Sequence, residues 1–398
     1  MKISGNAIKL IECIYCGLKK PPQEFSKEHI LPQALGGNIS DATANNQICR
    51  RCNNNCGLFI DAPFLKSWFI KNTEASEAFC YVDPPKAIAL PLTYLGQLNN
   101  LESIGRNDVC ELWLSPCGSR ILHIHNNYDE RYYGYAGGFP IARRKNPGRA
   151  IFLNVSTDEW WVRTGLESFK TYFEAETRFV SHIKFDDQNY FATIGSMPSP
   201  NEEKIIEEYS FNSNQSNGYI SLSFSVSVDF EQRFLAKLAL GLGHKCFGGR
   251  FLKTKHISIL RSWLKEKDPE KRKNLPGISN SYFDSDPEIY RHLAWKGGIF
   301  LALQPIDSRL ILNFFAFGKV MHTVVSDAPD LWESDEQFLY GGGICYLIIP
   351  QRNFFWGPQY FKTYINHRFG IASNPSLKQA ESWRIDPAAL PPRISNTQ

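Results

Sequence analysis

Long apolar runs are missing from this chain of 398 residues. No stretch approaches the roughly 18 uncharged apolar residues that a membrane-spanning helix requires. The nearest, Gly297 to Gly318, is interrupted by Pro305, Asp307 and Arg309. Met1 to Cys13 holds neither a long apolar core nor a cleavage-like site, so no secretory leader is expected. Cysteine is scarce, with ten in the whole chain, which excludes a disulfide-built scaffold. No internal repeat or low-complexity tract is present. A cytoplasmic protein without a membrane segment is the expectation.

What is present supports real cores. Hydrophobic residues make up 43% of the chain and aromatics 14%, and its length suits two or three domains. The net charge of +4 is unevenly spread. Between Glu231 and Leu275 twelve Lys or Arg face four acids. That segment reads either as a phosphate-facing surface or as a solvated Lys-rich helix and loop.

The pattern divides into three stretches. Residues 1–80 read as a small metal-held module followed by a helix starting at Asp61, with Pro63 in the first turn and Asp61 either as N-cap or as a residue of indirect importance to the module. Residues 81–200 are mostly β, with short strands at Val109 to Leu114, Arg120 to Ile124 and Ala150 to Val155, and one helix from Thr164 to Val180. Residues 196–201 read as a linker. Residues 201–398 read as α+β. They carry an alternating strand at Tyr219 to Val228 and helices at Phe230 to Gly241 and Thr254 to Glu266. Late strands follow at Gly298 to Leu303, Arg309 to Phe317, Lys319 to Val325 and Ile344 to Ile349. Residues 81–398 also read as one domain. The fold class is α+β, with an antiparallel sheet in the larger region.

Half of the cysteines lie between Cys13 and Cys56. Cys13 and Cys16 form one C-x2-C and Cys49 and Cys52 another, 32 residues apart. Four thiolates in two such knuckles suit a closed tetrahedral zinc site in a reducing compartment. Cys56 is either a spare ligand or an apolar filler. Between the knuckles lies Ser26-Lys27-Glu28-His29-Ile30-Leu31-Pro32, and Asn53 follows the last knuckle. A histidine beside a carboxylate is equipment for metal-assisted phosphodiester hydrolysis: imidazole accepts a proton from water, and carboxylate and amide oxygens hold a hard divalent ion. Arg50 and Arg51 sit where they could grip phosphates. Cys110, Cys117, His123 and His125 offer a second metal site, against the plainer reading of a strand with structural histidines. Trp160-Trp161 and Tyr132-Tyr133 offer base-stacking surfaces, against the reading of buried aromatics.

The runs C-I-Y-C-G, S-K-E-H-I-L-P-Q-A-L-G-G and I-C-R-R-C-N-N-N-C-G-L-F-I-D resemble the zinc-bound HNH endonucleases of the ββα-metal fold. The resemblance covers residues 10 to 65 and implies the following roles. His29 is the general base. Glu28 and Asn53, with Asn54 as a neighbour, hold a catalytic Mg²⁺ or Mn²⁺. Asn46 or Asn45 steadies the loop presenting the histidine. Cys13, Cys16, Cys49 and Cys52 bind structural zinc. Lys27, Arg50 and Arg51 meet the nucleic acid, expected to be double-stranded DNA. Many relatives carry Asp where Glu28 stands. The layout also suits a bacterial defence effector, whose larger region would give specificity, regulation or homo-oligomerisation. A decayed zinc module that only binds, and an RNA-cleaving enzyme, are the competing readings.

Overall fold

The computed structural model describes residues 10–67, 70, 77, 80–81, 89–99, 101–115, 118–136, 139–153, 159–173, 178–182, 196–215, 229–272, 274–275 and 292–384. It is mixed helix and antiparallel sheet, in two compact units: residues 1–85 with 227–398, and residues 86–226. The sequence reading drew boundaries at 80 and 200 along one line; in the fold, the first and last stretches share a unit.

The N-terminal part opens with a small hairpin, β1 (Ile11–Glu12) and β2 (Lys19–Lys20). A second antiparallel pair follows, β3 (Phe25–His29) with β4 (Ala44–Cys49), in which Glu28 lies opposite Asn45 and His29 opposite Ala44. Cys49 then leads into α1 (Arg50–Cys56). The helix does not restart at Asp61 as expected. It continues from α1 through a π turn, Gly57–Asp61, into α2 (Ala62–Lys66), and Asp61 is helical with no capping hydrogen bond from its side chain.

In the second unit, β5 (Thr93–Leu98), β6 (Val109–Leu114), β7 (Arg120–His125) and β8 (Arg149–Leu153) form an antiparallel sheet, and β9 (Arg178–His182) joins β8 in parallel. A short helix, α3 (Ile141–Arg144), precedes β8. Trp113, Ile121 and Phe152 pack on α4 (Glu159–Tyr172) through Val162, Leu166 and Phe169. Leu112, Leu122 and Ile151 pack on α5 (Pro200–Gln215) through Ile205, Ile206 and Tyr209. Side chains alternate along each strand, so both faces are covered. Two expectations change here: the backbone of Phe179 belongs to β9, and the supposed linker starts a helix. Ser199 and Glu202 form a capping box, the Ser199 backbone N–H donating to Glu202 Oε2 at 2.7 Å.

The remainder of the first unit begins with α6 (Asp229–Phe247) and α7 (His256–Lys265). Then come β10 (Ile299–Ile306), β11 (Arg309–Ala316), β12 (Lys319–Ser326), β13 (Ile344–Ile349) and β14 (Phe354–Tyr360), arranged β12-β11-β10-β13-β14 and antiparallel throughout. Leu301, Leu303, Phe314 and Ile348 face α6; Phe300, Ala302, Phe315 and Leu347 face α8 (Phe361–Arg368) and α9 (Pro375–Ser382). The strand expected at Tyr219 to Val228 lies outside the described residues.

The N-terminal part has no separate core. Ile14, Ile30, Leu31, Ile48 and Phe64 belong to the same apolar cluster as Phe234, Leu238 and Phe314. Phe64 stacks on Phe234 with ring centroids 3.9 Å apart. Gly241 allows the approach, because a Cβ there would lie 2.6 Å from the Ile30 side chain. No helix among the described residues is long and apolar enough to cross a membrane.

Candidate active site and zinc centre

The sulfurs of Cys13, Cys16, Cys49 and Cys52 lie within 4.8 Å of one another. A tetrahedral ion with bonds of about 2.3 Å sets its sulfurs about 3.8 Å apart, so the cluster closes around it by at most about 1 Å per pair. The backbone N–H of Cys49 points at Cys13 Sγ at 3.3 Å, which favours a thiolate there. The Cys13 thiol is held below its ordinary range, chiefly by a hydrogen bond from Cys52. Cys56 stays outside this cluster, as the apolar-filler reading expected. It is buried in the core, and burial pushes its thiol up to about 12.

The zinc knuckles brace a ββα unit, β3-β4-α1, on which the catalytic candidates ride. His29, at the end of β3, is partly exposed, and its Nδ1 lies 3.0 Å from the Gly37 carbonyl oxygen. A carbonyl only accepts, so neutral His29 carries its proton on Nδ1 and leaves Nε2 with a lone pair. The neighbouring loop is pinned to the same oxygen by Thr43 Oγ1 at 3.2 Å. Gly37 itself tolerates no side chain, because a Cβ would fall 1.7 Å from Leu31 O.

Asn53, on α1, donates from Nδ2 to Ser26 Oγ and to Lys27 O, both at 3.1 Å. The Lys27 carbonyl fixes which end is nitrogen, so Oδ1 faces the other way and keeps its acceptor capacity for a ligand. The two middle asparagines separate cleanly. Asn45 is buried, accepts from the Gln47 N–H at 2.9 Å and donates to His244 Nδ1 at 3.0 Å, whereas Asn46 is exposed. Asn54, Arg50 and Arg51 are exposed on α1, and exposed Lys27 pairs with Asp41 at 2.6 Å.

Glu28 points inward. Its Oε1 lies 2.9 Å from Nζ of Lys237 on α6, and the same ammonium donates to Asp61 Oδ2 at 2.6 Å. Burial raises the Glu28 carboxyl above its usual range, an effect that Lys237 offsets only in part, and Asp61 behaves likewise. Burial alone would lower the Lys237 pKa, but Asp61 and Glu28 outweigh it and raise it. Glu28 and Asp61 thus share one ammonium; carboxylate and amide oxygens are the donor type that suits a hard divalent cation.

The sequence reading missed Lys237, His244 and Lys245. The signal was there: a lysine inside the apolar run Leu235-Ala236-Lys237-Leu238-Ala239. Part of the basic segment takes a role outside both expectations, while Arg250, Lys253, Lys255, Lys267 and Lys271 are exposed. Lys245 donates to Asp41 O and Ala44 O, Arg261 to Ile14 O and Cys13 O, and Lys265 to Cys16 O. These cations clamp the backbone around the knuckles.

Residues 13–69 match the HNH endonuclease family. They form an HNH module. No curated protein and no solved structure matches the chain. The family places nuclease chemistry in this module, braced by its zinc-binding cysteines and packed on α6.

Away from the HNH module, His123 and His125 do share one side of β7, and their imidazoles gather on buried Glu111. The Asn127 N–H donates to His125 Nδ1 at 3.1 Å, which leaves the proton of the neutral ring on Nε2, facing Glu111 Oε2 at 3.3 Å. Arg143 already holds Glu111 Oε1. Glu111, His123 and His125 offer ligand atoms within 4.8 Å of one another, and the Arg143 guanidinium occupies the same carboxylate. Cys117 and the side chains of Trp160 and Trp161 lie outside the described residues; Tyr132 packs on Tyr94, and Tyr133 is exposed.

This network makes an acid-stability prediction. Burial would raise Glu111, but the neighbouring His123 and His125 rings and the charge of Arg143 prevail and hold it at about 2, down from 4.5. A depressed carboxyl stabilises the fold fully above its unfolded value, and that contribution fades as pH falls from 4.5 toward about 2. The gap corresponds to roughly 3 kcal/mol. Glu111→Gln is therefore expected to lower stability by about that much at pH 7 and by much less at pH 2.5. Denaturant titrations followed by Trp fluorescence at both values check it.

Proposed function

We propose that this protein is a divalent-metal-dependent endonuclease that hydrolyses phosphodiester bonds in DNA. The observation carrying this reading is the His29 imidazole, set with Nδ1 against the Gly37 carbonyl so that Nε2 is the nitrogen turned to other partners, on a zinc-braced ββα unit. In this reading His29 Nε2 takes the proton of a water as its oxygen attacks the scissile phosphorus. Glu28 and Asn53 would hold Mg²⁺ or Mn²⁺, which when bound neutralises charge on the phosphate and on the departing 3′-oxygen. Asn45, buried beside the histidine strand, takes the role of the middle asparagine more naturally than exposed Asn46. Arg50 and Arg51, at the N-terminal end of α1, and Lys27 grip the phosphates flanking the cut. A reducing cytoplasm suits the zinc thiolates, and the larger α+β remainder would govern target choice, as in a defence effector.

The test is incubation of purified protein with supercoiled plasmid, single-stranded DNA and RNA, with Mg²⁺, Mn²⁺ or EDTA. Metal-dependent nicking or linearisation of the plasmid is the expected result. Selective loss of RNA would transfer the same chemistry to an RNA substrate, and tight binding with no cleavage of any of the three would reduce the module to a binding element.

A further inference from the structure

Lys237 is wholly buried, yet it lies on α6, far in sequence from the β3 strand it serves. An ammonium has three N–H donors. Here three acceptors surround it: Asp61 Oδ2 at 2.6 Å, Glu28 Oε1 at 2.9 Å and the His29 carbonyl oxygen at 3.5 Å. Two of the three belong to the acidic-histidine dipeptide of the HNH module. The third comes from the π turn that follows α1.

Lys237 is shared between two acids, buried Glu28 and Asp61, and also lies against the backbone of the next residue, His29. Its grip on the Glu28 carboxylate sets where that side chain points, and its approach to the His29 carbonyl ties the same ammonium to the strand that carries the imidazole. Asp61 keeps the ammonium from swinging wholly onto Glu28. The same helix reinforces the hold one and two turns later, where Gly241 admits Ile30 and His244 takes the Asn45 amide.

We infer that Lys237 is a positioning residue of the nuclease site: its ammonium, braced by Asp61, orients the Glu28 carboxylate and the His29 backbone for phosphodiester hydrolysis. The inference rests on the nuclease reading. Groups that orient metal-binding carboxylates from behind change activity by about 10–100-fold when removed. The ammonium touches no substrate, so its loss falls on turnover rather than on binding.

The experiment compares Lys237→Met and Lys237→Arg in the full chain. Methionine keeps the unbranched shape of the side chain, one atom shorter, and removes the charge. In Lys237→Met, kcat on plasmid is expected to fall about 100-fold with KM for DNA unchanged. Mn²⁺ binding, followed by EPR titration without DNA, is expected to be no weaker than in the parent, since the site has lost a positive charge. Lys237→Arg keeps the charge and folds, but its longer planar head displaces Glu28, and kcat is expected to fall about 10-fold. Zinc content and thermal melting report folding for each. A folded Lys237→Met that cuts at the parental rate overturns the inference, as does weakened Mn²⁺ binding that alone accounts for the loss. If Lys237→Met fails to fold, parental turnover by Lys237→Arg overturns it, because a purely structural cation is then sufficient. A parent that cuts no nucleic acid sinks the nuclease reading and this inference together; an active parent with an equally active variant sinks this inference alone.

Discussion

His29→Ala is expected to slow cleavage roughly 10²–10⁴-fold, the range that a positioned general base contributes, while zinc content and nucleic-acid binding persist. The side chain is partly exposed and lies outside the apolar core, so the substitution removes chemistry without opening a cavity. It leaves Gly37 O with Thr43 Oγ1 as a donor, so the loop keeps a tie. Single-turnover cleavage with enzyme in excess reads the chemical step directly. Parental rates from a zinc-replete His29→Ala protein would remove the base from this ring and force a different reading of the site.

The larger effect on the fold is expected from the knuckles. Cys49→Ser should abolish zinc binding and, with it, the native packing of the first unit. Binding energies for structural zinc run to about 10–16 kcal/mol in small finger peptides, more than the whole stability of most domains. The loss cannot stay local, because Cys13, Ile14 and Cys49 lie in the same apolar cluster as Leu238 and Phe314. Metal content by mass spectrometry should drop from one zinc per chain to none, and near-UV circular dichroism should lose the first unit's share of the aromatic signal while that of the Trp113 cluster remains. Cys56→Ala is the control: that thiol is buried outside the four-sulfur cluster, so zinc should remain at one per chain. Retention of zinc by Cys49→Ser, or its loss from Cys56→Ala, would redraw the ligand set.

The knuckles and strands were legible because their signals are local. C-x2-C spacing fixes which thiols meet, and the near-continuous apolar run from Leu310 to Phe317 marks a strand buried on both faces. The helix over Phe230 to Gly241 was legible from its apolar spacing, yet Lys237 within it was counted only as one more positive charge. Its meaning depends on partners 176 and more positions away, and no window along the chain reveals them. The capping box at Ser199-Pro200-Asn201-Glu202 was a readable local signal, hidden by two prolines that suggested a linker. Asp61 misled for the opposite reason. Aspartate before Ala-Pro has the pattern of a helix start, but the chain arrives there already helical, and the carboxylate is committed to a distant ammonium.

The extra-wide turn at Gly57–Asp61 carries one more residue than an ordinary coil would need. Each residue of an α-helix advances the azimuth by about 100°. Shortening the segment by a single amino acid would therefore swing Asp61 and Phe64 away from Lys237 and Phe234 in one stroke, uncoupling the ionic and the aromatic docking of the same rod. The nuclease module is thus phased against its supporting helix by a one-residue insertion, much as a keyway sets the angle of a wheel on its shaft.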